Sequence, residues 1–175
     1  ETGAGEKRTC IAAHQSDAAP VLTALRAKLK TTERLIDAAD FFSVGVLSST
    51  ALEAGEILTE IQIPVSEMSM SCRYKRFAFR KSIDFPVLSV TVAKDGGKNY
   101  AVALGGAAPV PYRAAKAEEL LKGSDNTPET AAAAGEAAIA GAKPYSANAY
   151  KLQIIKTLVK RELMAMSQTA ANQSF

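Results

Sequence analysis

An α+β fold is predicted for this chain, with sheet and helices segregated along the sequence rather than alternating. Two period-two runs, residues 56–64 and 72–79, are followed by an Asp-Gly-Gly hairpin signal, which points to antiparallel strands. After residue 112 the apolar residues recur at helical spacing instead, so a helical tail follows the sheet. With 175 residues, 47% hydrophobic and 22% charged, the chain has the composition of a globular domain that buries a core without staples.

The elements follow in order. Residues 9–13 are small and read as a short strand. Val21, Leu22, Leu25 and Leu29 recur at helical spacing, so residues 18–29 are expected to form an amphipathic helix, with Ser16 or Asp17 as its N-cap. Residues 30–32 and 33–36 read as two short extended pieces joined by a turn. Residues 38–42 read as a helical turn burying two aromatic rings. A polar connection, 43–55, leads to the strand 56–64. There Ile57, Thr59, Ile61 and Ile63 alternate with Leu58, Glu60 and Gln62, and Pro64 ends the run. Residues 65–71 are expected to be loop.

Residues 72–79 alternate again as a strand, and 81–86 form a turn. Strands at 87–93 and 100–104 flank Asp95-Gly96-Gly97. Gly105-Gly106 reads as a tight bend. A helix at 113–122 ends at Gly123, a natural C′ residue. Pro128 suits the first turn of an Ala-rich helix reaching about residue 142. Residues 148–166 carry one apolar stripe, Leu152, Ile155, Leu158, Val159 and Leu163, flanked by lysines and Arg161. Fraying is expected beyond residue 166.

Several function classes are disfavoured. The net charge is +3 with acids and bases mixed, so no nucleic-acid stripe exists. No apolar run approaches the roughly 18 residues of a membrane span, and residues 1–8 lack the apolar core of a signal peptide, so a cytoplasmic location is expected. Cys10 and Cys72 form no metal-ligand cluster. A disulfide between them and two buried thiols both fit the count, and buried thiols are the expectation. His14 is the single histidine and reads as a capping or surface residue. Neither glycine pair has the strand–loop–helix setting of a phosphate loop. Spacing alone names no catalytic residue and no metal ligand.

A set of short motifs in fixed order says more: His14-Gln15-Ser16-Asp17-Ala18-Ala19-Pro20, then Asp40-Phe41-Phe42, then Thr50-Ala51-Leu52-Glu53. Gly55-Glu56-Ile57-Leu58-Thr59-Glu60-Ile61 and Ile63-Pro64 follow. Arg80-Lys81-Ser82-Ile83-Asp84-Phe85-Pro86 comes next, then Ala103-Leu104-Gly105-Gly106 and Pro109-Val110-Pro111. In this order the chain resembles the FAD-carrying medium subunits of the molybdenum hydroxylases, which include xanthine dehydrogenases, carbon monoxide dehydrogenases and 4-hydroxybenzoyl-CoA reductases.

The resemblance implies the end of a two-lobed FAD-binding domain over residues 1–66. A CO dehydrogenase flavoprotein C-terminal-like domain then covers 67–175, as a three-stranded antiparallel sheet with a helical bundle. It implies an FAD-binding subunit of a multi-subunit oxidoreductase that relays electrons between iron–sulfur clusters and an external acceptor. The molybdenum cofactor and the clusters would belong to a large and a small partner subunit. The family's two glycine-rich pyrophosphate loops are expected upstream of Cys10, where nine residues stand, so the chain reads as a fragment, inactive alone, that lacks an N-terminal FAD lobe. The competing expectation is a structural module that docks the other subunits.

Residue by residue, Asp17 matches the acid that accepts a cofactor hydroxyl, next to Ser16, and capping of its own helix is the plain alternative. Leu58 matches a position against the isoalloxazine ring, and a two-sided core strand is the alternative. Arg76 matches a position where the family often has a lysine. Lys75 and Arg76 are adjacent, so they point to opposite faces of a strand and only one reaches the ring, with Arg76 favoured. Arg80 and Asp84 are expected to form a structural ion pair.

Overall fold

This computed structural model describes residues 12–172, apart from 46–47, 69 and 97. Helix α1 spans Ala18–Ala24, followed by strands β1 Lys28–Thr31 and β2 Leu35–Asp37, the helical turn α2 Ala38–Phe41 and strand β3 Leu58–Gln62. A second helical turn, α3 Val65–Met68, lies where a loop was expected. Strands β4 Ser71–Phe77, β5 Leu88–Lys94, β6 Tyr100–Gly105 and β7 Tyr112–Arg113 come next. Helices α4 Ala115–Leu121, α5 Pro128–Ala138 and α6 Tyr150–Asn172 close the chain. The expected strand at 9–13 and Cys10 fall mostly or wholly outside the described residues.

The helix expected over 18–29 ends five residues early. Arg26 takes a left-handed φ of 50°, the Ala27 N–H reaches back to the Leu22 carbonyl, and the chain leaves as β1. Leu29, which seemed to continue the helical stripe, is instead a strand residue buried against α2. Tertiary burial outweighs local spacing here.

Two antiparallel sheets result. The smaller has the order β2-β1-β3 and the larger is a meander, β4-β5-β6-β7. The larger sheet contains the three expected strands, extended by β7, which pairs with β6 through Ala103–Arg113 and Leu104–Tyr112.

Every residue of β6 and all but the last of β5 are buried, because both faces are covered. One face carries Leu88, Val90, Val92, Val102 and Leu104 and packs on α4, α5 and α6. The other carries Ser89, Thr91, Ala93, Ala101, Ala103 and Gly105, which lie opposite one another in register. Its small residues admit α1, through Ala24 and the half-buried Leu25.

Caps and close approaches fix the helices. Thr127 accepts the Thr130 N–H and the Thr130 hydroxyl accepts the Thr127 N–H, with Pro128 in the first turn of α5. The helix stops at Ala138, short of residue 142. At Gly135 a Cβ would lie 2.8 Å from the Lys156 carbonyl oxygen, so glycine lets α5 and α6 touch. Gly123 follows α4 at φ 70°, as expected of a C′ glycine. Helix α6 continues past residue 166 to Asn172 rather than fraying there. An ion pair at 3.0 Å joins Arg73 of β4 to the buried Glu162 of α6.

Cys72 is a free, exposed thiol, against the expectation of a buried one, because its position on the edge strand β4 leaves it open.

Candidate functional site

The site begins at the N-terminus of α1. Residues 14–16 run beside the bend after β6. The His14 N–H donates to Ala108 (2.8 Å), the Gly106 N–H donates to His14 (2.7 Å), and the Gln15 side chain donates to the Pro86 carbonyl at 3.3 Å. The Gly106 N–H is thereby spent within the chain. His14 makes no capping bond and is half-buried. Its ring meets Phe42 edge-on at 4.9 Å, and burial pushes its pKa down, which favours the neutral imidazole.

Ser16 caps α1, its hydroxyl accepting the Ala19 N–H at 3.1 Å. Asp17 makes no capping bond and is left to face the sheet. Its Oδ1 accepts the Tyr74 hydroxyl from 57 residues away, and its Oδ2 lies 3.5 Å from Arg76 Nη1. Tyr74 and Arg76 reach the same carboxylate because they stand two apart on β4, on one face. Arg76 also donates to the Asp84 carbonyl, and Arg80 pairs with the Asp84 carboxylate as expected. That pairing holds the Asp84 carboxyl below its ordinary range.

Beside Tyr74 and Arg76 lie their register partners Thr91 and Ser89; the buried Thr91 hydroxyl oxygen has no hydrogen-bond partner, and the Ser89 hydroxyl neighbours the Tyr74 phenol. At Gly105, next to Ser89, a Cβ would come 2.4 Å from the Ser89 oxygen and 2.8 Å from Pro20 Cγ. Glycine there seats the start of α1 on the sheet. Burial first, then the bond to Asp17, push the Tyr74 pKa up to about 12, so its phenol stays a donor at neutral pH.

The structure thus gathers Ser16, Asp17 and Arg76 and adds Tyr74, which sequence reasoning missed. The available signal was its i, i+2 spacing from Arg76. Lys75 points to the opposite face and is exposed. Leu58 stands apart on β3, half-buried in the cluster of Leu22, Leu29, Ala38 and Phe41. The reason is a bulge: Glu60 pairs with Lys30 but Leu58 pairs with Thr31, so the strand does not alternate strictly. Ile57, Ile61 and Ile63 are 63%, 52% and 40% exposed, so the isoleucines do not form a buried face.

Tested against FAD, these residues fit part of the cofactor. A half-exposed carboxylate accepts a hydroxyl, and a cation stands beside it. Among the described residues no cluster of His, Cys, Asp and Glu is suited to a metal ion.

The chain matches two families end to end. Residues 8–66 match the FAD binding domain in molybdopterin dehydrogenase, and residues 74–166 match the CO dehydrogenase flavoprotein C-terminal domain. The nicotine 6-hydroxylase medium subunit of Paenarthrobacter nicotinovorans is 34% identical over 142 residues, 75% of this chain and 47% of that protein. The aldehyde oxidoreductase FAD-binding subunit PaoB of Escherichia coli is 29% identical over 160 residues, 87% of this chain and 48% of that protein. Among solved structures, quinoline 2-oxidoreductase from Pseudomonas putida 86 superposes with a TM-score of 0.78 at 26% identity, over 91% of this chain and 59% of that one. A carbon monoxide dehydrogenase of Hydrogenophaga pseudoflava gives 0.72 at 30% identity, over 84% and 54%. The chain spans about half the length of the curated relatives it matches. With more than half its length in the CO dehydrogenase flavoprotein C-terminal domain, preceded by the FAD-binding match, the chain belongs to the FAD-binding medium subunits of the molybdenum hydroxylase family.

Proposed function

We propose that this chain forms one wall of the FAD pocket in the electron-transferring subunit of a cytoplasmic, multi-subunit molybdenum hydroxylase. The observation that carries the reading is the meeting of Asp17 and Arg76. One belongs to the FAD-binding match and the other to the C-terminal match, and they converge at an open edge between α1 and β4. When bound, FAD exchanges electrons one at a time with iron–sulfur clusters and in pairs with an external acceptor.

The chain's own residues bind and orient. Ser16 satisfies the helix, so Asp17 is free to accept a cofactor hydroxyl. Arg76 places a positive charge where reduced flavin gathers a negative one. Leu58 enters through its backbone on the edge strand β3, since its side chain is committed to the small core. Lys75 stands on the far face and takes no direct part. The pyrophosphate loops and the rest of the pocket belong, on this reading, to the half of the relatives' length that this chain does not span. The molybdenum cofactor and the clusters sit in a large and a small partner subunit.

The assembly reading has its own support in Phe79, Ile83 and Phe85, which stand exposed around the turn after β4. Purification of the native complex, followed by flavin and metal analysis, separates the two. One FAD per copy of this subunit, lost or weakened in Asp17→Ala, supports the pocket. A folded, fully assembled complex with no flavin contact at this chain leaves a docking module.

A further inference from the structure

The fold spends two hydroxyl groups on keeping one carboxylate in place, and only one of them acts on the carboxylate itself. Ser16 takes the Ala19 N–H in the first turn of α1, the group that Asp17 would otherwise accept as a cap. The Tyr74 hydroxyl then holds Asp17 Oδ1 from the sheet side. Arg76 is a looser restraint. Its contact with Oδ2 is 3.5 Å, and its guanidinium is shared with the Asp84 carbonyl.

We propose that Tyr74 is the positioning residue of the flavin site: its phenol fixes the rotamer of Asp17, so that the carboxylate presents its remaining lone pairs to a cofactor hydroxyl. This rests on the flavin reading given above and adds to it a residue that touches Asp17.

Three features fit a positioning role. Tyr74 stands on a strand paired along its whole length with β5, so its ring is set by the sheet rather than by a loop. The high pKa of its phenol keeps the proton on the tyrosine, so the phenol is the donor and Asp17 the acceptor. Below it, Thr91 offers a buried hydroxyl oxygen with no partner, yet the phenol bonds the carboxylate instead. A carboxylate held by a neutral donor keeps its charge and can accept further hydrogen bonds on its free lone pairs. One held by a close bidentate arginine has both oxygens engaged.

The test has two arms on the native subunit. In the first, tyrosine is labelled with 13C at Cζ, and the Tyr74 resonance is assigned by its loss in Tyr74→Phe. That resonance is expected to move in Asp17→Asn, and an unmoved resonance overturns the contact. In the second, the subunit is stripped of flavin and retitrated with FAD, with binding followed by flavin fluorescence quenching. Tyr74→Phe and Asp17→Asn are each expected to weaken binding about tenfold, the scale of one hydrogen bond to a charged group. The double variant is expected to bind no more weakly than Asp17→Asn alone, because the phenol acts only through the carboxylate. Additive losses, or unchanged binding in Tyr74→Phe, overturn the positioning role while the flavin reading stands. A wild-type subunit that binds no FAD overturns both.

Discussion

Among the described residues around β1–β3, four apolar side chains are buried together, Ala27, Leu29, Ala38 and Phe41. Around β4–β7 and helices α4, α5 and α6 there are eighteen among the described residues, including Val90, Val92, Val102, Val159 and Leu163. The smaller region makes up part of the difference with a polar knot. Glu56, buried at its carboxylate, accepts the Thr31 hydroxyl (2.6 Å), two Arg34 N–H groups (3.0 Å each) and the Glu53 N–H (2.9 Å). Arg34 also donates to the Ala51 carbonyl at 2.7 Å. One region is held mainly by apolar area, which is indifferent to pH, with the Arg73–Glu162 pair beside it. The other depends on a charge, and a charge is lost when it is titrated.

Substitutions can break this contrast. The largest effect is expected at Leu163, fully buried on α6 between sheet and helices. Leu163→Ala should cost about 3 kcal/mol of stability, read from urea melts, with the slope unchanged. Gly135→Ala should cost about 2 kcal/mol, since its methyl would collide with the Lys156 backbone and push α5 off α6. A neutral result there would mean that the helices slide apart without loss.

Acid sharpens the comparison. The bonds from Arg34, Thr31 and Glu53 pull the Glu56 pKa from 4.5 to about 2. A folded-state pKa below the unfolded value means the contribution is complete above about pH 4.5 and is lost as pH falls toward 2. Hydrogen exchange on β1–β3 should therefore accelerate in that window before exchange on β5 and β6 does, and Glu56→Gln should remove the early step. Simultaneous loss in both sheets would show that they unfold as one unit. The smallest effect is expected from Ser16→Ala, about 1 kcal/mol for a lost cap. It should also weaken FAD binding, because Asp17 is then drawn back toward its own helix.

Much of this was legible in the sequence, for physical reasons. The meander β4–β6 announced itself because alternation and an Asp-Gly-Gly turn are local signals. Helices α5 and α6 did so through Pro128 and one long apolar stripe. The boundary between α1 and β1 was hidden because Leu25 and Leu29 keep helical spacing while a left-handed Arg26 changes the structure between them. The orientation of Leu58 was hidden because a bulge adds a residue that alternation does not count. Asp17 and Arg76 were each named from a family resemblance. Their meeting, and the part played by Tyr74, depend on which face of β4 turns toward α1, and that is decided by Ala93, Ala101, Ala103 and Gly105 being small.

That small-residue seam has a consequence for exchanging parts between related enzymes. Helix α1 lies in the stretch matched to one family, yet its seat is the sheet of the other. A crossover placed between residues 66 and 74, where the two family matches part, is the obvious choice. It would bring an α1 with foreign side chains onto a floor shaped for Pro20 and Ala24. Functional hybrids should therefore inherit residues 14–25 and 89–105 from the same parent, whichever parent supplies the chain between.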